Sequence, residues 1–112
     1  MHRLLTMSCV FILMTALDAP AGAIGLSMNE VALPSGATLD DCKATGRAAL
    51  QQAGLRGMPE SPASVFASSA DNDLAAIYCL PQRGIAIIAI AGPDNQSTRP
   101  ILGKLVELWG RR

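Results

Sequence analysis

Histidine is almost missing from this chain: there is one, His2, and it falls in the first residues of a segment that reads as removable. Without a histidine, a serine, threonine or cysteine nucleophile has no ordinary partner base. Zinc likewise loses its usual nitrogen ligand. There is no Gly-x-Ser-x-Gly elbow and no glycine loop of the phosphate-cradling kind. Excess charge is missing too, since nine lysines and arginines balance nine acids. With one tryptophan and one tyrosine to stack on bases, neither the electrostatic nor the aromatic requirement of nucleic-acid binding is met. A long hydrophobic run is also lacking. The apolar stretch from Leu4 to Leu17 is interrupted at Thr6, Ser8, Cys9 and Thr15, and it is shorter than the roughly 20 residues a membrane span needs.

These absences argue against an enzyme and imply no cofactor and no metal. The acids that do cluster have plain explanations. Asp40 and Asp41 sit where a helix begins, and Asp71-Asn72-Asp73 sits where a hairpin turns. The second group lacks the longer ligand series and the closing glutamate of a calcium loop. Lys43, Arg47, Arg99 and Lys104 read as solvated helix faces.

The positive start Met1-His2-Arg3, the apolar run and then Asp18, Pro20 and Ala21-Gly22-Ala23 form the three regions of a secretory signal peptide. Residues 1–23 are therefore expected to be cleaved, taking Cys9 with them, and the product is expected to be periplasmic or secreted. Contact with a membrane is expected only through the signal peptide before cleavage. Residues 24–37 read as an irregular leader segment, and residues 38–112 as one small α+β domain. In an oxidising compartment the two remaining cysteines, Cys42 and Cys79, can form only one intramolecular pair.

Within the domain, Thr38 with Asp41 three residues on marks a capping box. Leu39, Cys42, Gly46, Ala49, Leu50 and Ala53 follow at helical spacing. Gly54 is placed as a left-handed terminator, with Leu55 folding back on Leu50. Strands are expected at 64–69, 74–80 and 85–91, joined by turns at Asp71-Asn72 and Pro81-Gln82-Arg83-Gly84. A last helix is expected to be capped at Ser97 or Thr98, with Pro100 in its first turn and Ile101, Leu102, Leu105, Val106, Leu108 and Trp109 on one side. The predicted order is helix, three-stranded antiparallel meander, helix (α-β-β-β-α), with both helices on one sheet face and one disulfide.

Even-length turns would set Leu80 opposite Ile85, Cys79 opposite Ala86, Tyr78 opposite Ile87 and Phe66 opposite Ile77. The face that carries Cys79 must meet the helices. The other face, with Val65, Tyr78, Leu80, Ile85 and Ile87 as its candidate interaction residues, is too apolar for water. Its expected covers are residues 24–33, a second copy giving a homodimer, or another partner.

An Asp-Cys opening a helix (Asp41, Cys42), an Ala-Gly helix end (Ala53, Gly54), an Ala-Ile-x-Cys strand (Ala76, Ile77, Tyr78, Cys79) and a strand exit through Ala-Gly-Pro (Ala91, Gly92, Pro93) run through the chain beyond the expected cleavage point. In these features it resembles a loose group of small exported proteobacterial proteins of uncharacterised function. The resemblance implies a fold and carries no catalytic residues. The expected role is non-enzymatic binding or self-association through the outer sheet face, and the alternative is an inhibitor or immunity-type protein acting on a periplasmic or extracellular enzyme.

Overall fold

The computed structural model describes residues 24–111; the expected signal peptide, residues 1–23, lies outside the described residues. Five strands and two α-helices follow one another as β1 (Gly25–Ala32), α1 (Leu39–Gln52), β2 (Arg56–Met58), β3 (Ser64–Ser68), β4 (Leu74–Leu80), β5 (Ile85–Gly92) and α2 (Asn95–Gly110), with a 3₁₀ turn at Pro81–Arg83. The strands form one antiparallel sheet in the order β1-β5-β4-β3-β2. The α+β class and the central β3-β4-β5 meander are present. The meander is, however, the middle of a five-stranded sheet.

Helix α1 starts and stops where local chemistry dictates. The Thr38 hydroxyl accepts from the Asp41 amide at 3.1 Å, while the Asp41 carboxylate accepts from the Thr38 amide at 2.9 Å. Those bonds hold the Asp41 pKa below its ordinary value. At the other end Gly54 adopts φ 81°. Its amide bonds Gln51 O, and the Leu55 amide reaches back to Leu50 O, closing a Schellman motif.

Both helices cover the same side of the sheet, α1 beneath β2, β3 and β4 and α2 beneath β1 and β5. The core between them comprises Cys42, Ala49, Leu50, Val65, Ala67, Ala75, Ile77, Cys79, Ala86, Ile88, Ile90, Leu105 and Trp109. A disulfide joins Cys42 of α1 to Cys79 of β4, with their Cα atoms 6.0 Å apart. One turn further along α1, Gly46 lets the helix sink onto the sheet: a Cβ there would stand 2.8 Å from Val65 Cγ2. Trp109 closes the far end by donating its indole N–H to Ala32 O at 3.1 Å.

Four expectations change. Residues 25–32 are a full edge strand, not part of an irregular leader. The interval around Gly57 holds the short strand β2, paired to β3. Helix α2 begins earlier than Ser97, capped by Asp94, whose carboxylate accepts from the Ser97 amide at 2.9 Å. The Ser97 and Thr98 hydroxyls that resemble caps are used for tertiary bonds to Asp73 and Ser27, and Pro100 lies inside the helix. Finally, Phe66 stands opposite Ala76 and Val65 opposite Ile77.

Lys43 and Arg47 also do more than face solvent. Both reach Glu60, and the Lys43 ammonium donates to Ser61 O at 3.0 Å, so the β2–β3 loop is clasped to α1. The Arg47 hydrogen bonds, followed by those from Lys43, hold Glu60 well below its ordinary 4.5, at about 2. A carboxylate whose pKa is depressed by folding stabilises the native state above its unfolded value, and the contribution disappears as pH falls through the folded value. Stability should therefore decline between pH 4.5 and about 2 on account of this group. Glu60→Gln should flatten that part of an acid-unfolding curve followed by circular dichroism; an unchanged slope would count against the clasp.

Candidate functional site

In an antiparallel sheet, directly paired residues point to the same side, and alternation along each strand sends the next pair to the other. The helices take the side of Ile77, Ile88 and Ile90, all fully buried. The other side is therefore assembled from four cross-strand rows. The first is Leu26, Ala91, Leu74, Ser68, Arg56; the second is Met28, Ala89, Ala76, Phe66, Met58. The third is Glu30, Ile87, Tyr78, Ser64, and the fourth is Ala32, Ile85, Leu80.

This outer face is largely apolar, with Glu30, Arg56, Ser64 and Ser68 as its polar positions, and both helices lie on the other side of the sheet. Leu26 is 59% exposed, Met28 57% and Tyr78 45%, while Met58 and Leu74 are exposed to a similar degree. Ile85, Ile87, Leu80 and Phe66 are half-buried by their neighbours in the sheet. Isolated exposed apolar residues are ordinary, whereas a contiguous patch of this kind marks a surface that meets something.

Of the five residues expected on this face, Tyr78, Leu80, Ile85 and Ile87 are there together. Val65 is not: it is 1% exposed and packs toward Gly46 of α1. Phe66 takes the outward position instead. The cause is the β3–β4 turn, which spans residues 69–73 and so has an odd length. A one-residue change of register exchanges the faces of every side chain on the strand.

The segment expected to cover the face instead widens it. Strand β1 pairs along its length with β5 and turns Leu26 and Met28 outward, while Ser27 points inward to share a 2.8 Å hydrogen bond with Thr98. That polarity is the reverse of a strand whose apolar side is meant for its own core. The alternation of Leu26 and Met28 with Ser27 and Asn29 is the one signal that could have found this strand, and Glu30 and Val31 break its phase.

Two further features border the face. At the corner of β2, β3 and the β3–β4 turn is a depression of about 750 Å³ whose lining includes Arg56, Met58, Ser68, Asn72, Asp73 and Leu74. Beneath this end of the sheet, Asp73 is nearly buried and accepts from the Ser69 hydroxyl at 2.8 Å and the Ser97 hydroxyl at 2.7 Å. Ser69 also accepts from the amides of Asp71 and Asp73. Three of these bonds close the turn on itself and the one from Ser97 ties it to α2, which makes the group a structural junction between the turn and α2.

Among the described residues, no group of three or more His, Cys, Asp or Glu side chains is placed to hold a metal ion. No helix among them is long and apolar enough to cross a membrane. Compared with known proteins, the chain matches no family model, no curated protein and no solved structure.

Proposed function

We propose that this is an exported, disulfide-stapled binding domain without catalytic activity, periplasmic or secreted, whose working surface is the outer face of the sheet. The observation that carries the reading is the contrast between the two sides. One face is filled by both helices and tied to them by Cys42–Cys79. The other presents apolar side chains on all five strands to the surroundings. A small domain gains nothing in its own stability from apolar groups left in water, so their concentration on one side points to association. Nucleic acid is not an expected partner and no cofactor is invoked.

Ile87 and Tyr78 sit together near the middle of the face and lie on the side of the sheet away from the helices, so they can be changed without opening the interior. Ile87→Lys and Tyr78→Lys should each leave the far-ultraviolet circular dichroism intact. Each should also lower the association of the native protein, or its uptake of an apolar dye such as bis-ANS, by about fivefold or more, as expected for a charge set into a desolvated contact. A native protein that neither associates nor binds the dye would remove the proposal.

A further inference from the structure

The outer face carries one acid and one base. Glu30 lies on β1 and Arg56 on β2, the two opposite edges of the sheet, and they fall in different cross-strand rows, so they mark diagonal corners. Four interstrand steps of about 4.8 Å separate them across the sheet, with a further offset of two rows along the strands. That is well beyond a Debye length of about 10 Å at ordinary salt, so the two side chains hardly sense each other within one molecule. Neither is engaged in an ion pair among the described residues.

We infer that the occupant of the outer face is a second copy of this chain, and that Arg56 of each copy meets Glu30 of the other. This rests on the reading of the face as the working surface. A two-fold axis is what makes a diagonal pair of opposite charges self-complementary: residue i meets j of the partner, and j meets i. Turning one sheet over onto its twin about an axis in the interface plane, perpendicular to the Glu30–Arg56 diagonal, makes both ion pairs at once. The strands of the two sheets then cross steeply, nearer the orthogonal than the aligned class of sheet packing.

Three other observations fit this occupant. The centre of the contact would be the row through Ala89 and Ala76, small residues that allow sheets to approach closely. The depression beside Arg56 has Ser68, Asn72 and Asp73 on its wall, the Asp73 carboxylate already taken by the Ser69 and Ser97 hydroxyls, and gives the partner's Glu30 a polar recess at the rim. The chain has a formal net charge of zero, so two copies do not repel. The area is also adequate. Five strands of this length present on the order of 500 Å². Two copies would bury about 1,000 Å², the lower limit for a specific interface, which implies a reversible dimer.

Complementary charge reversal tests it, read by sedimentation velocity of the purified protein over a range of concentrations. The wild type should show a monomer–dimer equilibrium. Arg56→Glu and Glu30→Arg should each weaken self-association by about tenfold or more, since each sets like charges against one another at both corners. Mixing the two variants should restore dimers of near wild-type affinity, because each then supplies the charge that the other lacks. The double variant Glu30→Arg/Arg56→Glu should self-associate like the wild type. Both sites are exposed edge positions, and the recovery on mixing shows that the single variants are folded.

A wild type that stays monomeric but binds bis-ANS would overturn the second copy while leaving the face reading intact. Single reversals without effect, or a mixture that does not recover, would overturn the charge pairing. A dimer that persists unchanged in Ile87→Lys would place the contact elsewhere and defeat both readings.

Discussion

Replacing Cys42 and Cys79 together with alanine should lower the free energy of unfolding by about 4 kcal/mol, the chain-entropy value for a loop of this length. The two residues are 37 apart in sequence, so the cross-link removes a wide range of open conformations from the unfolded chain. For a domain of this size, the loss should depress the thermal midpoint by on the order of 20 °C. The position of the bond adds to its effect. It fastens α1 to the central strand β4 one helical turn from the close contact of Gly46 with Val65, and both cysteines are buried. Alanine is the informative replacement, because serine would put a hydroxyl into the same apolar surroundings at a further cost. Guanidinium unfolding of the two proteins side by side measures the difference. Cys79 faces the helices while Tyr78 and Ile87 face outward, so any association through the outer face should survive in the variant at low temperature. A midpoint within a few degrees of the wild type would show that packing alone holds α1 in place.

What the sequence revealed and what it concealed divide along a physical line. Helix α1 was legible at both ends because its caps are local: Thr38 with Asp41, and Gly54 with Leu55, need no partner from elsewhere. Strands β4 and β5 and their register were legible because Pro81-Gln82-Arg83-Gly84 fixes the connection between them, with Leu80 paired to Ile85. The pairing of Cys42 with Cys79 followed from there being no other choice once Cys9 was set aside. Most of the failures involve bonds made over long distances, while the register of β3 turned on the odd length of the local turn at 69–73. Strand β1 takes its identity from β5, to which it pairs only after the intervening chain has been laid down. Strand β2 is three residues long and exists because β3 offers it an edge. Asp94 outcompetes Ser97 and Thr98 as the cap of α2 because those hydroxyls are drawn to Asp73 and Ser27. The candidate face was accordingly right on β4 and β5 and wrong on β3, where Val65 and Phe66 exchange sides.

That exchange is controlled by Asp73, and removing its side chain should have the second large effect. The β3–β4 turn is held at its odd length by a closed set of bonds: the Ser69 amide to Asp73 O, the Asp73 amide to Ser69 Oγ, and Ser69 Oγ to the Asp73 carboxyl, with Asn72 in the left-handed region at φ 66°. The remaining carboxyl oxygen takes the Ser97 hydroxyl and ties the turn to the first turn of α2. Asp73→Ala leaves the Ser69 hydroxyl without its acceptor and the Ser97 hydroxyl with Asp94 O alone, in a nearly buried place, at a cost of about 2 kcal/mol. Gly92 is part of the same junction. A Cβ on Gly92 would collide with the Asp73 carboxyl, so Gly92→Ala should also be strongly destabilising. The two substitutions should not add. With the carboxyl gone, the alanine methyl at position 92 meets only Thr98 Cγ2, at 3.0 Å, and Gly92→Ala in the Asp73→Ala background should cost less than it does alone, a coupling that a double-mutant cycle in urea resolves. Strict additivity would mean that the crowding at Gly92 has another source. Since the turn sets which side of β3 faces outward, Asp73→Ala should also loosen the placement of Phe66 on the face. Proton exchange at the β3 amides should rise in the variant more than at β5, which is held on both sides by β1 and β4. A junction of buried polar groups at one end of the sheet thus decides which apolar side chains reach the surface where association is proposed.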